Sequence, residues 1–147
     1  SHLNGIKTKS YEDALKQVKS EITGASEVNY PFKWFNNELK PTLGIDVLNE
    51  DFDRDDGYAI ITKGNISVLI LQTEKLDTLF PTVISDFIGS RIAPVKARVR
   101  KNPIYSKLKK NLNFQDSFLE RTYNQPGMKH FYSDKDIDKF ISRWGKS

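Results

Sequence analysis

The sequence contains no cysteine. That excludes disulfides, thiolate nucleophiles and Cys-based zinc or iron–sulfur centres. It also suits a reducing compartment, so a cytoplasmic location is expected. Histidine is scarce, at two residues. His2 belongs to an opening Ser1-His2 that reads as a remnant of tag cleavage. His130 is therefore the one credible imidazole, and metal or triad mechanisms have little to draw on. Long apolar runs are missing too. The longest, Ile66 to Leu71, is interrupted by Ser67 and falls far short of the roughly 18 residues that span a bilayer. No membrane span is expected, and no basic-then-apolar leader opens the chain. There is no G-x-x-x-x-G-K-[ST] loop to cradle a phosphate. Gly89-Ser90 is a Gly-Ser pair, but it does not follow a strand.

What is present is aromatic and charged. The chain has 147 residues, with nine Phe, six Tyr and two Trp. That length fits a single domain over 1–147, or a C-terminal fragment of a larger α/β domain. It needs no metal or disulfide staple. The formal net charge is +4, which is compatible with an anionic partner and equally with solubility alone.

Spacing and caps give the elements. Ser10 to Thr23 places Leu15, Val18 and Ile22 at helical spacing, with Ser10 as cap and Gly24 as stop. From Tyr30, Pro31 suits a first helical turn and Phe32, Phe35 and Leu39 share a face. Pro41 should end or bend this helix, and Gly44 closes it. Gly44 to Gly57 is an acid-rich loop. Counted from Asp51, its sixth residue is Asp56 and its twelfth Thr62, which breaks the calcium-loop pattern, so a solvated turn is expected.

Tyr58 to Gln72 reads as a hairpin turning at Lys63-Gly64-Asn65. Its second strand, about 66–72, is nearly all apolar, as a central strand buried on both faces would be. A helix follows over about Leu76 to Ile88, kinked or broken at Pro81. A short strand around Pro94 to Val99, paired parallel to the apolar strand, would complete a right-handed strand–helix–strand unit. The last third reads as helices at about Pro103 to Asn111, Gln115 to Tyr123 and Ser133 to Trp144. Met128 to Tyr132 reads as extended chain before the final cap. The fold class expected is α/β or α+β, helix-rich, with a small sheet around that buried central strand.

Candidate chemistry is concentrated in one stretch. Arg91 to Lys110 carries Arg91, Lys96, Arg98, Arg100, Lys101, Lys107, Lys109 and Lys110 with no acid. Such a cluster before a helix can hold phosphate or sulfate, or it can be a solvated basic face. Tyr105 is its one aromatic, so nucleic-acid binding by stacking has little support. Glu74 ends the apolar strand, where functional groups of α/β sheets collect, and it could equally hold a helix start. His130, flanked by Phe131 and Tyr132, reads as structural.

The order of "WFNNELKPTLGIDV", "FDRDDGYAI", "NISVLILQTEKL", "YSKLKKNLNF" and "KHFYSDKDIDKFISRW", over about residues 31 to 144, resembles the C-terminal half of a bacterial family of capsular polysaccharide synthesis proteins related to sulfotransferases. The resemblance implies a sulfotransferase-like P-loop fold that uses the sulfate donor PAPS. It implies that Arg100 and Lys101 are left to hold the donor's 3′-phosphate, as they also would for the desulfated product PAP. The phosphosulfate loop lies before the matching region, so this chain is not expected to transfer sulfate alone. The partners implied are a polysaccharide acceptor and the missing N-terminal half. The exposed edge of the apolar strand would allow self-association. Two readings stand beside this one. The chain could be a stand-alone anion- or protein-binding module of such descent. It could also be an unrelated domain whose basic stretch meets nucleic acid or an acidic protein.

Overall fold

The computed structural model describes residues 10–24, 30–94 and 103–145. Within them the chain is a helix-rich α+β fold around one antiparallel hairpin.

Helix α1 (Tyr11–Gly24) starts where its cap residue dictates. Ser10 Oγ accepts the backbone N–H of Asp13 at 3.2 Å and donates to its carboxylate at 2.9 Å, filling one of the orphan donors of a first turn. Of the expected apolar face, Leu15 and Val18 are half-buried, whereas Ile22 stays 37% exposed.

The second helical stretch contains two prolines and runs through both. It begins as α2 (Tyr30–Trp34), widens into a π turn (Phe35–Leu39) and resumes as α3 (Lys40–Leu43). Pro41 was expected to end or bend the helix. The helix runs three residues past Lys40 to Leu43, after a π turn in which Lys40 N–H donates to the carbonyl of Phe35, one residue further back than in an α-helix. Gly44 then closes the stretch at φ 70. The same solution recurs downstream. After a 3₁₀ turn (Thr73–Lys75), α4 (Leu76–Leu79), a π turn (Phe80–Ile84) and α5 (Ser85–Ile88) form one helical run, and Pro81 sits inside the π turn rather than at a break.

Strands β1 (Tyr58–Lys63) and β2 (Ile66–Leu71) pair antiparallel across a two-residue Gly64-Asn65 turn, with Gly64 at φ 62. Register places Ala59, Ile61, Val68 and Ile70 on one face, and Tyr58, Ile60, Ser67, Leu69 and Leu71 on the other. The first face contributes Ile61, Val68 and Ile70 to the core around Ile45, Val47 and Phe131. The expectation of a central strand at 66–72 buried on both faces is corrected here. Among the described residues β2 has one partner strand, and none of its six residues is fully buried. Its apolar second face is half-covered, and Ile60 opposite Leu69 is 50% exposed. The strand expected around Pro94 to Val99 lies, beyond Pro94, outside the described residues, as do Lys96, Arg98, Arg100 and Lys101.

The remaining helices are α6 (Pro103–Asn111), α7 (Asp116–Tyr123), α8 (Pro126–Phe131) and α9 (Asp134–Trp144). Helix α8 replaces the extended piece expected before the final cap. Gly127 lowers intrinsic helix propensity, but tertiary packing overrides it: a Cβ at this position would lie 2.5 Å from the Phe32 ring. The close approach lets Phe131 gather its neighbours. Its ring lies 5.0 Å from Phe52, 5.8 Å from Phe35 and 6.1 Å from Phe32. Helix α9 forms as its cap and spacing require. Ser133 Oγ accepts from Asp136 N–H, Ile137 is buried, and Phe140, Ile141 and Trp144 line the half-buried side. Phe114, Leu119 and Ile137 are also buried, and α7 packs on α9.

Candidate functional site

The C-terminal end of β2 is where the hairpin meets the C-terminal helices. Gln72 extends the strand line by one residue and is 95% shielded from solvent, at 5% exposure. Its side-chain amide donates to the carbonyl of Phe131 at 2.6 Å. Its backbone N–H donates to the carbonyl of Gly57 at 2.8 Å. Both polar ends are thereby satisfied, as burial demands.

Two residues on, Glu74 projects from the 3₁₀ turn into solvent. Its Oε2 accepts from the phenol of Tyr132 at 3.0 Å and from Thr73 Oγ1 at 3.3 Å. Tyr132 is half-buried against Phe140, with ring centroids 5.2 Å apart and planes near perpendicular. Tyr123 stacks on Phe140 from another side at 5.6 Å. Burial, with the Glu74 charge next in importance, holds the Tyr132 phenol far above its ordinary range. The same two causes raise Tyr123, opposed by the nearby Arg143 guanidinium. Both phenols therefore stay protonated at any physiological pH, and Tyr132 donates to Glu74.

Lys75 completes this corner. Its ammonium reaches the carbonyls of Arg54 and Asp55 and ties the acidic turn to the end of β2. The turn itself is closed by Asp53, whose Oδ1 accepts the backbone N–H groups of Asp55 and Asp56 at 2.8 Å each. Gly57 is required here: it sits at φ 79, and a Cβ would lie 2.4 Å from the Lys75 stem. Among the described residues no group of acids and histidines is placed to hold a metal ion.

His130 lies on α8, next to Phe131. Its ring meets Phe131 edge-on at 4.6 Å and Phe52 at 6.3 Å, and its Nε2 is shut away from solvent without a hydrogen-bond partner.

The basic stretch is only partly described. Arg91 is exposed and lines a shallow hollow with Ser85, Asp86 and Ser90. Lys107 lies over the Tyr11 ring at 4.1 Å and serves packing of α1 on α6. Lys109 and Lys110 point from the exposed last turn of α6. Arg100 and Lys101, the residues expected to bind the nucleotide, lie outside the described residues.

The residues at the end of β2 do not fit the phosphosulfate of PAPS. The strand runs into Gln72-Thr73-Glu74-Lys75 rather than a glycine loop, and Glu74 adds a carboxylate at that end. The corner instead offers a carboxylate, protonated phenols and aromatic faces, which suit hydroxyl groups. Sequence reasoning reached Glu74 but missed its partner Tyr132, which lies 58 positions away and which no local spacing announces. Gln72 did carry a signal, as an amide in line with an apolar strand.

Among the described residues no helix is long and apolar enough to cross a membrane. No curated protein and no solved structure matches the chain. A family model does match, over residues 14–133. That range runs from the start of α1 through the hairpin and the Glu74–Tyr132 corner to the cap of α9, and leaves α9 itself outside. Since this is most of the chain, the protein belongs to the NKWYS family, described as "Putative capsular polysaccharide synthesis protein".

Proposed function

We propose that this chain acts in the synthesis of a capsular or surface polysaccharide, as the C-terminal part of a sulfotransferase-like protein. The observation that carries the first half of this reading is the family match over residues 14–133. The second half rests on the order of sequence motifs and on the basic stretch around Arg100 and Lys101. In this reading Arg100 and Lys101 hold the 3′-phosphate of PAP or PAPS as a basic clamp. The phosphosulfate is held by another segment, and no sulfuryl-transfer step is assigned to the residues of this chain.

Calorimetry of the whole chain with PAP tests the nucleotide half. Binding that weakens about tenfold or more in Arg100→Ala/Lys101→Ala is expected, since charge-assisted bonds to phosphate are among the stronger polar contacts. No heat at millimolar PAP, or binding indifferent to both substitutions, removes the nucleotide site and leaves the capsular role standing.

A further inference from the structure

We propose that the exposed side of α2 and the π turn after it form a saccharide-binding platform, an inference that rests on the capsular polysaccharide reading above. Tyr30, Lys33, Trp34, Asn37 and Glu38 line an open cleft of about 430 Å³. Tyr30 is 60% exposed and Trp34 42%. Large rings open to water on one helix face cost hydration free energy unless something meets them.

The Trp34 ring meets Phe35 edge-on at 5.9 Å with planes 65° apart, and Phe35 packs in turn on Phe131 at 5.8 Å. The indole is thus linked to the core through Phe35 and also lines the cleft. An exposed aromatic ring anchored in this way suits the apolar C–H face of a pyranose ring. The cleft also holds the polar groups a sugar needs. Asn37 brings an amide that both donates and accepts, and Glu38 a carboxylate that accepts. Neither has a hydrogen-bond partner among the described residues, and both are exposed.

Their placement follows from the backbone. Asn37 and Glu38 lie within the π turn that Pro41 makes favourable, and such turns recur at functional sites. The widened turn keeps Phe35 and Leu39 against the core while Asn37 and Glu38 stay on the side of Trp34. Aromatic platform, amide and carboxylate together suit a neutral or amino sugar chain, with Lys33 also lining the cleft.

Saturation-transfer NMR of the full chain tests this, with maltohexaose, chitohexaose and a hyaluronan hexasaccharide as neutral, N-acetylated and acidic probes. Binding of maltohexaose or chitohexaose is expected, weakened about tenfold or more in Trp34→Ala. A paired variant, Asn37→Ala/Glu38→Gln, keeps the rings and should lose binding without a change in thermal midpoint. Trp144→Phe, remote from the cleft, should leave it intact. No binding of these two probes at about 10 mM, or binding untouched by both cleft variants, overturns the proposal. Capsule measurement in a strain lacking the gene separates the two readings. Capsule loss without saccharide binding removes the platform and keeps the role, whereas saccharide binding with an unchanged capsule keeps the platform and removes the role.

Discussion

Tyr132 donates its phenolic hydrogen to Glu74 across 3.0 Å, joining the chain after α8 to the end of β2 over 58 residues of sequence. The buried bond from Gln72, two positions before Glu74, to the carbonyl of Phe131, one before Tyr132, runs alongside it. The hairpin is thereby fixed to the C-terminal helices by two polar ties set in an aromatic surround.

Removing the outer tie should cost little and removing the inner one more. Tyr132→Phe leaves an exposed carboxylate that water can serve, so a loss of about 1 kcal/mol or less is expected. Gln72→Leu strands the Phe131 carbonyl in a buried site and should cost about 1–3 kcal/mol. Urea unfolding of the two variants checks the order.

Tyr132 also predicts alkaline sensitivity. Its pKa is raised in the fold, chiefly by burial and then by Glu74. The unfolded phenol therefore releases its proton first, at about pH 10. The stability this group contributes is fully present below that pH and is lost as pH rises toward the folded value. Stability measured from pH 9 to 11 should fall more steeply in the wild type than in Tyr132→Phe.

Gly127 is held by contact rather than by backbone angle. Gly127→Ala should destabilise by about 1–3 kcal/mol through overpacking against the Phe32 ring. Trimming that ring in Gly127→Ala/Phe32→Leu should recover part of the loss, whereas Phe32→Leu alone should destabilise. A double-mutant cycle reads the coupling directly.

The cap of α9 should fail in acid. Asp136 is held below its usual pKa, first by the Ser133 hydroxyl and then by Lys139. Its contribution is present above the ordinary carboxylate range and is lost as pH falls through the lowered folded value. Ser133→Ala should cost about 1 kcal/mol and flatten the stability profile below pH 4, as thermal melts across pH 2 to 6 would show.

Helices with a cap and a clean apolar face were legible from sequence. Ser10 and Ser133 mark α1 and α9, and Ile137, Phe140, Ile141 and Trp144 line the expected side of α9. Helix α8 was hidden because Gly127 argues against helix locally, and the reason for the glycine, the Phe32 ring, is 95 positions away. Pro41 and Pro81 were legible as disturbances. The response, a π turn at each, depends on carbonyls that find new donors and not on the proline alone. The apolar run of β2 announced burial but not its geometry. The Gly64-Asn65 turn sets an antiparallel partner on one edge, and apolar composition by itself does not say what meets the second face. Of the candidate site, Glu74 could be named from its position at a strand end. Its phenolic partner Tyr132, and the ledge made by Tyr30 and Trp34, arise from three-dimensional placement.

The capsular role is tested most directly by measuring surface polysaccharide, and its sulfate content per sugar, in the organism carrying the gene before and after its deletion. A fall in capsule or in its sulfate, restored by the wild-type gene, is the result expected. Unchanged amount and unchanged sulfate would contradict the role.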